Sequence, residues 1–195
     1  NDRMETNIPD IYAVGDCAEN IHLLTGKPAW IALGSTAAKM GRVAAINATG
    51  GIDTFKGVLG TLIVNVFEMN IGKTGLSERE AIKEGFKIES TIVPASDVSH
   101  YYPGAKDIIM KLIADVPTRK LLGAEIVGTG VVDKRIDIIA SALTFGATVD
   151  QISKLDLAYA PPYAMSMDAV IVAANVLGNK LSGKTVGVLP HRVAE

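Results

Sequence analysis

The five residues Val116-Pro117-Thr118-Arg119-Lys120 lie between two β-rich runs, Asp107–Asp115 and Leu121–Val127. A link this short, with a proline in it, can only turn the chain back on itself, so the two runs must be antiparallel neighbours. A third run, Lys87–Pro94, precedes them, and two more, Thr61–Phe67 and Asn70–Thr74, open the same stretch. Between the two groups, Ser77 and Glu80 have the S-x-x-E spacing of a capping box, which predicts a short helix ending at Gly85. Helical periodicity comes last. Ile136, Ile139, Ala140 and Leu143 recur at i, i+3, i+4 and i+7, predicting a helix over Asp133–Phe145 that stops at Gly146. Ser166 or Asp168 then caps a final helix through Leu177, with Gly178 as its stop. Strands first and helices last, with hairpin-length links, define an α+β domain: an antiparallel sheet with helices on one side.

The first fifty residues read differently. Ile11–Val14 is a short apolar run closed by Gly15-Asp16, consistent with a buried strand ending in a turn. A helix follows from about Ser35, whose hydroxyl can cap the Ala37 and Ala38 amides, to about Asn47, before Gly50-Gly51. This strand-loop-helix looks like a remnant of an α/β domain. The expected division is 1–53 for that remnant, 54–184 for the α+β domain and 185–195 for a tail or linker.

Composition narrows the function classes. Nineteen Lys and Arg stand against 21 Asp and Glu in 195 residues, a net charge of −2 that argues against a nucleic-acid or anionic-membrane surface. With 48% apolar and 21% charged residues the chain is globular, not disordered. Its longest apolar run, Ala169–Val176, is interrupted by Asn175 and is far short of a membrane span, so a soluble, cytoplasmic protein is expected. One cysteine, Cys17, excludes a disulfide framework or a paired-thiol redox centre within these residues. His22, His100 and His191 have no metal-ligand spacing, so no metal site is expected.

Local chemistry concentrates in Thr6-Asn7-Ile8-Pro9-Asp10-Ile11-Tyr12-Ala13-Val14-Gly15-Asp16. A strand would deliver Asp16 at its carboxyl end, where open α/β sheets bind nucleotides, and the preceding glycine allows close approach. Such a carboxylate accepts hydrogen bonds from sugar or ribityl hydroxyls, or simply closes a turn. The string resembles the second flavin-binding motif of the FAD-dependent pyridine nucleotide-disulfide oxidoreductases. The resemblance implies that Asp16 holds the FAD ribityl chain. It also implies that the helix after Lys27-Pro28-Ala29-Trp30 aims its amino end at the isoalloxazine ring, with Thr36 and Ala37 nearest and Ala38 close behind. Helix amides and the positive end of the dipole would stabilise charge on reduced flavin.

His100-Tyr101-Tyr102-Pro103-Gly104, Asp133-Lys134-Arg135-Ile136-Asp137 and Asp156-Leu157-Ala158-Tyr159-Ala160-Pro161-Pro162-Tyr163 resemble the dimerisation domain of one branch: the coenzyme A-disulfide reductases, NADH oxidases and NADH peroxidases. That resemblance implies a homodimer in which Tyr101 and Tyr159 reach into the partner's active site, whereas Tyr102 and Tyr163 are packing residues. A phenol there can donate to a thiolate or a substrate sulfur or oxygen, and its ring can exclude water. His100 adjoins Tyr101 and could line the same pocket. Lys134 and Arg135 could attract the phosphates of coenzyme A, or Arg135 could pair with Asp133 or a neighbouring carboxylate. Cys17 is expected to be a small buried hydrophobe without a redox role.

The resemblance also implies parts that these residues do not supply. They contain neither a Gly-x-Gly-x-x-Gly unit for the FAD pyrophosphate, nor a second one for NAD(P)H, nor a reactive cysteine facing the flavin. With Asn1 rather than Met at its start, the chain is expected to be the carboxyl-terminal part of such an enzyme, inactive and weak in FAD binding alone. In the parent, hydride would pass from NAD(P)H to FAD, to a cysteine and on to a disulfide, persulfide, peroxide or oxygen. Two alternatives are a free-standing dimeric interaction domain without redox activity, and a parent with a sulfur-transfer domain appended after Glu195.

Overall fold

The computed structural model describes residues 1–187, and the chain divides into two compact units, the first Asn1–Leu62 and the second beginning at Ile63. In the first unit a small two-stranded sheet pairs β1 (Asn20–Ile21) with β2 (Pro28–Ala29), antiparallel, and α1 spans Gly34–Ala48. The core is a cluster of Met4, Met40 and Val43, against which Tyr12, Val14 and Phe55 pack. Buried Asn47 stitches the unit together: its amide donates to the Arg3 and Asp53 carbonyls, and its oxygen accepts from the Asp53 amide. The helix closes as a Schellman motif. Gly50 is left-handed at φ +86°, and the Gly51 amide reaches the Ile46 carbonyl at 2.9 Å.

Two local expectations for this unit are corrected. Ile11–Val14 is not a strand of a sheet; it is an extended segment with one bridge, Tyr12 to Glu5, flanked by the bonds Thr6 to Ile11 and Ala13 to Met4, and it has no second strand beside it among the described residues. Nor does Ser35 cap α1. The helix begins one residue earlier, and its N-cap is Leu33, which has no side-chain oxygen to accept from the first amides.

In the second unit the strands are β3 (Leu62–Val66), β4 (Met69–Gly75), β5 (Ile88–Ser96), β6 (Asp107–Asp115) and β7 (Leu121–Gly128). Among the described residues they form an antiparallel sheet of order β3-β4-β7-β6-β5. Its helices are α2 (Glu78–Lys83), α3 (Asp133–Thr144), α4 (Val149–Ile152) and α5 (Ala169–Leu181). The strand alternation decides what each face does. Ile108, Met110, Leu112 and Ala114 of β6 are fully buried under the helices, together with Ala124 and Ile126 of β7. The α3 helix lies so close to β4 that a β-carbon at Gly72 would meet Ile136 at 2.5 Å. On the opposite face Ile71, Val127, Ile109 and Pro94 form a cross-strand row in which Ile71 and Ile109 are exposed. At one end of that face α2 presents Glu78 to Lys111 and Glu80 to Lys73.

β4 and β7 touch most closely at their ends. Gly75, left-handed at φ +69°, turns the chain into α2, and a β-carbon on its partner Gly123 would stand 2.0 Å from the Leu76 carbonyl oxygen. Gly178, expected to end α5, instead lies inside it; the stop is Gly183, left-handed at φ +66°, with the Lys184 amide bonded back to the Asn179 carbonyl. Asp168, not Ser166, is the cap, accepting from the Val170 amide.

The Ser77–Glu80 capping box forms in full. Glu80 accepts from the Ser77 amide at 2.7 Å and from Lys73 Nζ at 2.8 Å. Burial opposes its ionisation, but the Lys73 and Ser77 donors outweigh it and hold the carboxyl down to about 2. The folded value lies below the unfolded one, so this stabilisation is present above the ordinary glutamate range and disappears as pH falls toward about 2. Glu80→Gln should therefore be less stable than the parent at neutral pH, by at most about 1 kcal/mol given the side chain's exposure, and the two urea-denaturation curves should converge in acid.

Candidate functional site

The candidate residues fall into two groups, one in each unit. In the first, Gly15–Cys17 is a single 3-10 turn. Gly15 is left-handed at φ +77°, and a β-carbon there would be 3.4 Å from that of Ala37, so the Asp16 turn lies directly against the first turn of α1. Trp30 Nε1 donates to the Asp16 carbonyl at 2.8 Å and fixes the turn from its other side. The Asp16 carboxylate itself is exposed and has no partner among the described residues. Thr36 is buried, Ala37 half-buried and Ala38 exposed. The arrangement offers a free carboxylate as acceptor and helix amides without a side-chain cap as donors, a set that fits a polyhydroxyl chain leading to a ring that takes up negative charge. Cys17 is exposed rather than buried; its Sγ lies 3.3 Å from the Val14 carbonyl oxygen.

In the second unit a cleft of about 550 Å3 is lined by Val98, Val131, Lys134 and the Ala158–Tyr163 segment. Tyr159, 50% exposed, forms part of its wall, and so does Tyr163. The tyrosines are brought together by a turn in which the Tyr163 and Ala164 amides both reach the Ala160 carbonyl. Tyr101 is 70% exposed and lies outside the cleft lining, its ring edge-on to His100 at 6.0 Å between centroids. Its segment is a run of turns after β5, with the Tyr102 amide on the Ser99 carbonyl. Asp97 closes that run and ties it to the entry of α3: one carboxylate oxygen accepts from the Lys106 amide and the other from the Val131 amide.

Tyr163, expected to be a packing residue, lines the cleft instead; its i, i+4 spacing from Tyr159 across Pro161-Pro162 was the available signal. Arg135 is not free for a phosphate. It is fully buried, and Nε, Nη1 and Nη2 are all engaged, with Asp168 rather than Asp133 as its counter-ion at 2.9 Å. Lys134 keeps about a third of its side-chain surface exposed and stands 3.9 Å from the same carboxylate. His191 lies outside the described residues. Among the described residues no three His, Cys, Asp or Glu side chains cluster as metal ligands, and no helix is long and apolar enough to cross a membrane.

Residues 62–170 match the family described as pyridine nucleotide-disulphide oxidoreductase, dimerisation domain. The chain is 44% identical over 177 residues to the NAD(P)H sulfur oxidoreductase (CoA-dependent) of Pyrococcus furiosus, covering 91% of this chain and 40% of that protein. It superimposes on an NAD-dependent persulfide reductase from A. fulgidus with a TM-score of 0.94 and 42% identity, covering 96% of this chain and 35% of that one. The reduced Bacillus anthracis CoADR-RHD gives a TM-score of 0.92 at 33% identity, over 100% of this chain and 35% of that one. The chain thus spans well under half the length of the relatives that it matches.

Proposed function

This chain belongs to the pyridine nucleotide-disulphide oxidoreductases, and from that premise we propose that it forms the flavin-domain edge and dimerisation domain of an NAD(P)H-dependent reductase of sulfur compounds. The proposed extents are residues 1–53 for the edge and 54–184 for the dimerisation domain, with 185–195 as a tail or linker. Names of relatives such as sulfur oxidoreductase and persulfide reductase favour a disulfide or persulfide as electron acceptor over peroxide or oxygen. The observation that carries the reading is the cleft walled by Tyr159, Tyr163 and Lys134 within the matched domain.

FAD, when bound, supplies two-electron redox chemistry between NAD(P)H and sulfur. The residues of this chain supply the rest. Asp16 would hold FAD through its ribityl hydroxyls, and the amino end of α1 at Thr36, Ala37 and Ala38 would lie by the ring, with the uncapped first amides of the helix as the donors that favour negative charge there. Tyr101 and Tyr159 serve the partner subunit of a homodimer: each phenol donates its O–H to the sulfur that gains charge as the S–S bond opens, and the rings keep water out. Lys134 adds a positive charge beside Tyr159 that favours an anionic thiol product.

In the intact enzyme, Tyr159→Phe and Tyr101→Phe separate the two halves of the reaction. Flavin reduction by NAD(P)H should proceed at the parent rate, while reoxidation by disulfide or persulfide, followed at the flavin absorbance in a stopped-flow mixer, should slow by ~100-fold. Unchanged reoxidation in both variants would remove the tyrosines from the chemistry. The isolated 195-residue chain is expected to sediment as a colourless dimer without turnover; a yellow sample would show that it holds FAD unaided, and a monomer would remove the interface.

A further inference from the structure

The cleft beside Tyr159 has walls from three separate segments, and a single buried side chain is bonded to all three. Val98 comes from the segment after β5, Val131 and Lys134 from the entry to α3, and Ala158–Tyr163 from the segment between α4 and α5. Arg135 is 0% exposed. Its Nη1 donates to the Val131 carbonyl at 2.9 Å, and its Nη2 donates to the carbonyl of Asp97, the residue before Val98, at 2.5 Å. Nη2 and Nε together grip the Asp168 carboxylate at 2.9 and 3.4 Å, at the point where the tyrosine segment ends and α5 begins. Ser99 adds a second tie between the same two segments: its amide donates to the Pro161 carbonyl and its hydroxyl to the Ala164 carbonyl, both at 3.4 Å. Tyr101 is two residues beyond Ser99, and Tyr159 two residues before Pro161.

A buried ion pair adds little net stability over an apolar replacement of the same shape; what a guanidinium offers is a rigid planar fork with several donors at fixed angles. Here the fork is spent on two backbone carbonyls and one carboxylate in the three segments that wall the cleft. We propose that Arg135, with Asp168 and Ser99 in support, is a positioning residue that holds the Tyr101 and Tyr159 segments in the mutual placement that sulfur reduction needs. The inference rests on the reading that these two tyrosines act in the partner's site.

The test is a mutant cycle in the intact enzyme between Arg135→Lys and the paired substitution Tyr101→Phe/Tyr159→Phe, with hydrogen exchange on the same samples. Arg135→Lys keeps the charge and loses the fork. It should lower kcat by ~10- to 100-fold, as sub-ångström misplacement does, with flavin reduction by NAD(P)H unchanged. In the background that lacks both phenols the same change should alter kcat less than about two-fold, because the clasp then has no reacting group left to position. Effects that multiply would overturn the proposal, since a general loss of structure costs the same with or without the phenols. Amides in residues 97–106 and 156–168 should exchange ~10-fold faster or more in Arg135→Lys while those of β6 and β7 stay protected; unchanged exchange in these two segments would overturn it as well. Should Arg135→Lys fail to fold, Ser99→Ala, which removes only the hydroxyl bond to the Ala164 carbonyl, is expected to give the same pattern at smaller amplitude, and parent-like exchange and turnover in it would count against the clasp. A Tyr101→Phe/Tyr159→Phe enzyme with parent kcat would instead sink the tyrosine assignment, leaving the exchange result to decide the clasp by itself.

Discussion

Arg135→Met should destabilise the second unit by about 3–5 kcal/mol, the usual consequence of removing one member of a buried ion pair. The cost comes from what is left behind. Asp168 is 2% exposed, and without the guanidinium its carboxylate keeps only Lys134, at 3.9 Å, and the Val170 amide that it caps. The Asp97 and Val131 carbonyls lose their donors at the same time. Methionine fills the volume of the aliphatic stem and offers nothing to any of these groups. The double substitution Arg135→Met/Asp168→Asn removes the stranded charge while an amide oxygen still caps α5, so it should recover more than half of the loss. Denaturant midpoints at one fixed protein concentration decide the matter, because a dimer's stability depends on concentration. A double variant as unstable as the single one would show that the lost bonds to backbone carbonyls, not the stranded charge, dominate.

Gly123→Ala is the second substitution with a large expected effect, and its origin is steric. The added methyl would stand 2.0 Å from the Leu76 carbonyl oxygen and 2.9 Å from the Leu76 nitrogen, both backbone atoms, so no side chain can swing away to admit it. β4 and β7 would have to part where the Leu76 amide bonds to the Leu122 carbonyl. Overpacking of this kind costs about 1–3 kcal/mol, with more where backbone bonds break. The expected result is a thermal midpoint lowered by ~10 °C or more and loss of exchange protection first at Gly75 and Leu76. By contrast, Gly34 and Gly41 in α1 have no atom within 4 Å of an added β-carbon, and alanine there should be tolerated or stabilising.

Much of the second unit was legible before any coordinates, because its elements obey local rules. The link Val116–Lys120 had no reading except a hairpin, and the Ser77–Glu80 spacing names its own helix. The four-residue α4 was missed although Thr148 and Gln151 form a full capping box, since nothing after it repeats with helical period. Gly178 misled for a related reason: glycine ends a helix only where the backbone must turn left-handed, and sequence does not display φ. The site was legible to a lesser degree. Asp16 and Tyr159 stand out in strings of unusual residues, but the partner of Arg135 lies 33 residues away, and no rule of spacing joins them. Val98 and Val131 enter the cleft through tertiary packing alone.

The strand order has a consequence for how this chain comes to be folded. β4 lies beside β7, from which roughly fifty residues separate it in sequence. A chain emerging from the ribosome at ordinary speed exposes the β3–β4 hairpin for several seconds before its partner exists. During that interval one edge of β4 has no ladder, and its amides and carbonyls facing the place of β7 are open to pairing with another chain. β5, β6 and β7 form a meander of near neighbours and can assemble as soon as Gly128 is clear, providing the template onto which the waiting hairpin docks. The vulnerable species is thus a nascent one, a sheet short of its central strand, and in a chain truncated before Leu121 it would be permanent.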